Sequence, residues 1–184
     1  MDEAQAIIDG LKERGYSIML GVPTFWREGG EDVIEHERLL GFIRQADIIM
    51  PWYVGRFDNT DFDKFKEIVP GDIAWCRENG VEFAPNCWPG FSWNNLYGSV
   101  VGDAVDREGG NFLRQQIDSY LEAGAKSLYF AMFDEINEAT ALFKIAREVP
   151  APRPGATFVP LGEGVPSDTY LTIMGDAARR LKEN

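Results

Sequence analysis

The chain has 184 residues, 45% of them hydrophobic and 12% aromatic, which suits one buried core and excludes a disordered or fibrous class. Its 30 acidic residues against 18 basic give a formal charge of −12, which argues against a nucleic-acid or anionic-membrane partner, because phosphate binding needs clustered Lys and Arg. A neutral ligand fits this balance better, although surface acidity also serves solubility alone. Cys76 and Cys87 lack CxxC spacing and His36 is the only histidine, so the sequence carries no zinc-site pattern; the two cysteines could bridge in an exported chain, but packing is the preferred reading, Cys87 following a strand-like segment.

In chain order, Asp2 to Arg14 reads as an amphipathic helix stopped by Gly15, unlike a signal peptide. Strand Ser17 to Val22 (SIMLGV) follows, then a helix over Asp32 to Gln45 with His36 on its solvated side. Strand Asp47 to Pro51 leads to helix Asp61 to Asn79, and strand Glu82 to Asn86 leads to helix Gly110 to Gly124. The apolar run Ser127 to Phe133 reads as a strand buried on both faces, running directly into a helix that begins with Asp134, Glu135 and Glu138. Arg147 to Gly155, with three prolines, is a loop; Thr157 to Leu161 is a fifth short strand, and Ser167 to Lys182 a closing helix. Strands alternating with helices at this spacing predict βαβ units and a parallel sheet, in one domain over residues 1–184. No apolar run approaches the roughly 20 residues of a membrane span.

The loop after each strand is rich in groups that hold sugars. The first brings Trp26 and Arg27, the second Trp52, Tyr53, Gly55 and Arg56, the third Trp88, Gly90, Trp93 and Asn94. Flat apolar rings beside polar groups suit the faces and hydroxyls of a carbohydrate, and ligands of α/β proteins collect at the carboxyl ends of strands. Each tryptophan alone reads as core packing; four at equivalent positions point to a cleft, with Trp75 left between helices. Arg56 and Arg27 could orient a carboxylate or a ring hydroxyl, or form surface ion pairs, the reading preferred for Arg27. Gly55 and Gly90 would permit turns near the pocket.

The fourth loop brings the acids. Glycosidic cleavage commonly uses two carboxyl groups, one protonating the departing oxygen and the other acting as nucleophile or base. Glu135 and Glu138, three apart on a helical turn, would stand roughly 5 to 6 Å apart at Cβ and share one cleft, their repulsion raising the proton affinity of one. In the alternative, Asp134 caps that helix and the glutamates merely complement its dipole. No metal or cofactor is needed by a carboxylate pair.

With these residues in view, the chain resembles the glycoside hydrolase family 71 and family 99-like proteins, often labelled xylosidase or arabinosidase and related to the family 99 endo-α-mannosidases. The likeness spans nearly the whole sequence: LGVPTFWR (Leu20 to Arg27), DIIMPWYVGRF (Asp47 to Phe57), PGFSWNNL (Pro89 to Leu96), YFAMFDEINEATALFK (Tyr129 to Lys144) and SDTYLTIMG (Ser167 to Gly175). It implies the carboxyl-terminal portion of a (β/α)8 barrel, an oligosaccharide or polysaccharide substrate, and a secreted or periplasmic setting. The family 99 motif is similar to WNEWHEGT, against which FDEINEAT aligns without a gap. That alignment implies Glu138 as general acid and base and Glu135 as the base assisting the substrate's 2-hydroxyl, with retention through an anhydro sugar. Ala139 replaces the motif's usual glycine, and Asp134, Ile136 and Asn137 also depart from it, so mannose specificity does not carry over.

A complete barrel takes about 250 residues, more than are present. A partial (β/α)8 barrel of four to five parallel strands is therefore expected. Its open edge would be met by a missing amino-terminal half or by a homodimer, or the sheet would simply be smaller; a non-catalytic sugar-binding or assembly module is the alternative function.

Overall fold

A computed structural model describes residues 1–97, 104–148 and 158–183. Helix α1 (Asp2–Glu13) leads to strand β1 (Met19–Val22), short helix α2 (Leu39–Ile43) and strand β2 (Ile48–Pro51). Helix α3 (Phe62–Phe65) passes through a 3-10 turn at Lys66–Ile68 into α4 (Val69–Glu78), where Pro70 in the first turn removes no helical hydrogen bond. Then come β3 (Glu82–Phe83), β4 (Asn86–Cys87), β5 (Phe91–Ser92), α5 (Asn94–Tyr97) and β6 (Ala104–Val105). Helix α6 (Asn111–Glu122), strand β7 (Tyr129–Phe130) and helix α7 (Thr169–Glu183) complete the described elements.

β1 pairs parallel with β2, β2 with β3, and β4 with β7. The stretch from β3 to β4 serves two neighbours: Ala84 N–H donates to Ile49 O at 2.9 Å on one side, and Pro85 O accepts from Tyr129 N–H at 3.0 Å on the other. Parallel strands therefore lie in chain order, each laid beside its predecessor. That is the progression of a β/α barrel wall, whereas a doubly wound sheet reverses its order at a switch point. The mixed α/β architecture with parallel strands is the one expected from the sequence, as an arc of four strand positions.

The core fills the space between this arc and the helices. Ile49, Cys87, Trp88, Phe112, Leu113 and Leu142 all have 0% exposure. Both cysteines are free and buried, and burial pushes each thiol upward, Cys76 to about 12.

Several elements differ from expectation. The helix over Asp32 to Gln45 shrinks to Leu39–Ile43, and the Asp32 carboxylate is used elsewhere, accepting the N–H groups of Thr24 and Phe25 at 2.9 and 3.3 Å. His36 lies in this irregular stretch, exposed, with its Nδ1 accepting the N–H of Arg38. The last long strand shortens to Tyr129–Phe130 and is half-buried, its outer edge unpaired among the described residues. The helix expected after it is absent: Leu142 N–H and Phe143 N–H donate to Phe133 O at 3.1 and 3.0 Å, and Met132 N–H donates to Thr140 O at 3.0 Å, so the chain closes as a loop. Burial of Ala141 and Leu142 at 1% and 0% exposure drives that return and overrides helix propensity. Residues 158–161 form no strand; Thr157 of that expected strand, and 149–155 of the predicted proline loop, lie outside the described residues. Nothing in the pattern signalled the antiparallel pairing of β5 with β6.

Candidate active site

The site is assembled from three of the post-strand loops. Trp52 leaves the end of β2 with its backbone gripped from two sides, its N–H donating to Val22 O at 2.9 Å and its carbonyl accepting Thr24 Oγ1 at 2.7 Å. Gly55 follows at φ +72°, a left-handed conformation open to glycine, and a Cβ there would meet the Trp93 ring at 3.4 Å. Arg56 Nη2 reaches the Asp32 carboxylate at 3.4 Å. Burial works against the charge on Asp32, yet the N–H groups of Thr24 and Phe25, the Thr24 hydroxyl and Arg56 together hold it below its ordinary value.

From the third loop, Phe91, Trp93 and Tyr97 form a run of rings, with centroids 4.4 Å apart for Phe91 and Trp93 and 5.6 Å for Trp93 and Tyr97. Tyr97 is 77% exposed and Trp52 37%, so both offer ring surface to solvent.

The fourth loop carries the acids, with Glu138 on a turn at residues 136–139 and Asp134 and Glu135 just before it. Glu138 is half-buried, and its backbone carbonyl accepts the N–H of Ser92 at 2.8 Å, which pins the acid loop to β5. Burial first, then the neighbouring Glu135 carboxylate, raises the Glu138 carboxyl above its ordinary value. The Thr140 hydroxyl is shared between the carbonyl and the carboxylate of Glu135, at 3.3 and 3.4 Å. Ala139 adopts φ +61°, a left-handed conformation that glycine tolerates best. With no helix here, the alternative in which the acids cap one has no element to act on.

These groups meet in an open cleft of ≈ 410 Å³ lined by Trp52, Val54, Gly55, Arg56, Phe91, Trp93, Leu96 and Glu138. The volume falls in the range of small-ligand sites. A smaller apolar cavity of ≈ 230 Å³, with Ile136, Phe143, Phe158 and Arg107 on its walls, contains no carboxylate to cut a glycosidic bond.

Of the residues singled out from sequence, Trp52, Arg56, Trp93 and Glu138 share the cleft, and Glu135 stands beside Glu138. Trp26, Tyr53 and Trp88 do not line it: at 1%, 0% and 0% exposure they are core residues, a correction to their expected place on a sugar-binding face. Trp26 packs edge-on to Trp75, Tyr53 edge-on to Phe65, and Trp88 edge-on to Phe112. Asn94 is buried at 7% exposure, and Asp134 is exposed on the loop; neither is on the cleft wall. Arg27 forms an ion pair, but with a core partner rather than on the surface as expected: its Nε lies 2.8 Å from the buried Asp72. Phe91, in the third of the aromatic-rich loops, lines the cleft as well, while sequence reading missed Val54 and Leu96 as lining and Asp32 as the partner of Arg56.

No family model and no curated protein matches the sequence. Among solved structures, the chain is similar to the GH99 endo-alpha-mannosidase from Bacteroides thetaiotaomicron. In the complex of that enzyme with bis-tris-propane, the match has a TM-score of 0.63 at 15% identity and covers 80% of this chain and 45% of that one. A second structure of the enzyme matches with a TM-score of 0.65 at 14% identity, covering 99% of this chain and 61% of that one. The chain thus spans about half to three-fifths of the length of the structures it matches, and what it shares with them is the fold of a family 99 glycoside hydrolase.

Proposed function

We propose that the chain provides the carboxylate cleft of a glycoside hydrolase acting on an oligosaccharide or polysaccharide. The observation that carries this reading is the raised Glu138 carboxyl on the wall of an aromatic cleft. A carboxyl group protonated above its ordinary range can give its proton to a departing glycosidic oxygen, and the glutamate beside it helps keep that proton bound. Trp52 and Trp93 would stack against sugar rings, and Arg56 would hold a hydroxyl. In a retaining scheme, Glu135 is the base that assists the attack on the anomeric carbon, either through the substrate's 2-hydroxyl or by direct carboxylate attack. Thr140 would keep its carboxylate oriented.

The experiment is sugar release from α- and β-linked mannans, glucans and xylans by the chain and its Glu138→Gln variant. Glutamine keeps the shape and removes the transferable proton, so turnover should fall by about 10²- to 10⁴-fold, the usual contribution of a positioned general acid. A fully active Glu138→Gln variant would refute the assignment.

One observation favours a second reading, a sugar-binding module without turnover: only one of the two glutamates lines the cleft. Calorimetric binding of oligosaccharides by wild type and variant alike, with no product released, would support it.

A further inference from the structure

The loop carrying the two glutamates has neither a helix nor an inter-strand ladder around Glu138, and Ala139 holds a backbone conformation that an L-residue disfavours. Something must keep that conformation. On the far side of Glu138 from the Ser92 contact in sequence, Arg107 Nη2 donates to Ala139 O at 2.5 Å and Nη1 to Ala141 O at 3.4 Å.

Arg107 is itself an anomaly. It is 5% exposed and forms no ion pair with any acid among the described residues. A buried guanidinium without a carboxylate is unfavourable unless its donors are used well. Here Nη1 and Nη2 face two carbonyl dipoles and the charge faces the ring of Tyr170 on α7, whose centroid lies 5.1 Å from Cζ, while the buried Nε has no hydrogen-bond partner among the described residues, so the two Nη contacts carry the guanidinium. Gly90 makes room for it: a Cβ at that position would stand 2.7 Å from Arg107 Cγ. The planar fork can reach two carbonyls two residues apart, a span that a single ammonium point charge does not reproduce.

We propose that Arg107 is the positioning residue of the glutamate pair: its guanidinium, braced on Tyr170, fixes the Ala139 and Ala141 carbonyls and thereby sets where the Glu138 carboxyl stands in the cleft. The proposal deepens the reading of Glu138 as the acid and rests on it for its consequence in catalysis.

The test uses Arg107→Met, which keeps the bulk and removes the donors, and Arg107→Lys, which keeps the charge and loses the fork. Three readouts are taken: amide exchange from Ala139 to Leu142, titration of the Glu138 carboxyl by NMR, and kcat against KM. Arg107→Met should stay folded by circular dichroism while exchange in that loop rises by about tenfold or more, the mark of local opening. The Glu138 carboxyl should drop towards its ordinary value as the loosened loop hydrates it. Turnover should show kcat falling while KM, governed by Trp52 and Trp93, changes by no more than about twofold. Arg107→Lys should lie between, and carries the test if Arg107→Met fails to fold. A folded variant with unchanged loop exchange and an unchanged Glu138 titration would overturn the role. Exchange and titration need no substrate, so shifts in both, without hydrolysis by the wild type, would keep the positioning role and defeat the glycosidase reading alone.

Discussion

Among the described residues, two buried or half-buried carboxyl groups hold protons more tightly than usual, for different reasons. Glu138 is raised by burial and a like-charged neighbour in an open cleft, where a ligand can use the proton. Asp72 is raised by burial to about 6, despite the opposing pull of the Arg27 guanidinium 2.8 Å away, and it is 2% exposed in the core beside the Tyr53 hydroxyl at 3.4 Å. Arg27 keeps its charge, since the hydrogen bond and attraction to Asp72 outweigh its own partial burial. The linkage has a definite sign. Because the folded value of Asp72 lies above the ordinary 3.8, the folded state binds more protons between those two values, so stability is fully present below about 4 and is lost as pH rises through about 6. Asp72→Asn removes the titration while keeping an acceptor for Arg27. Denaturant melts at pH 4 and pH 7 should therefore show the wild type losing on the order of 2 kcal/mol relative to the variant across that interval. Parallel curves for the two proteins would count against it.

At the scale of elements, the acid loop depends on a hairpin that the sequence did not announce. β5 and β6 pair antiparallel, Phe91 opposite Val105, and Gly90 at their entrance lies against both Val105 O and Arg107. Gly90→Ala would put a Cβ 2.8 Å from that carbonyl, which cannot move without dragging the strand. The expected cost is about 1–3 kcal/mol by thermal or urea melting, with a further loss of turnover because Arg107 shifts too. A neutral Tm would mean that the hairpin yields easily. The periodic elements were legible: α1, α6 and α7 fall within two residues of their apolar patterns, and β1, β2, β3 and β7 lie inside the expected strands, shorter than them. The presence of acids and aromatics past the strand ends was legible too. Which side each ring takes was not, because Trp88 goes to the core only through contact with Phe57 and Phe112, whereas Trp93 turns outward against Tyr97. Nor could local propensity foresee that FDEINEATALF would close as a loop, since the decisive terms are burial of Leu142 and two carbonyl contacts from a residue 32 and 34 positions earlier.

For the molecule as a whole, stability is distributed unevenly across the arc of strands. β2 is flanked on both sides, by β1 and β3, and its Ile49 has 0% exposure. β1 forms one end of the arc; its Met19 is 47% exposed, and apolar Ile7, Leu11 and Tyr16 from the adjoining α1 region are likewise 64%, 37% and 60% exposed. Parallel strands are usually covered on both faces and edges, so this end contributes less burial per residue than the middle. The contrast makes a paired prediction. Ile49→Ala removes a fully enclosed side chain between two strands and should cost about 2–5 kcal/mol. Met19→Lys places a charge where solvent already reaches, on an edge that charge suits, and should change stability by no more than about 0.5 kcal/mol. Urea denaturation of both variants distinguishes a graded arc from a closed wall. If Met19→Lys were as damaging as Ile49→Ala, the β1 end would be enclosed in solution, and a chain carrying its neighbour would have to supply the cover.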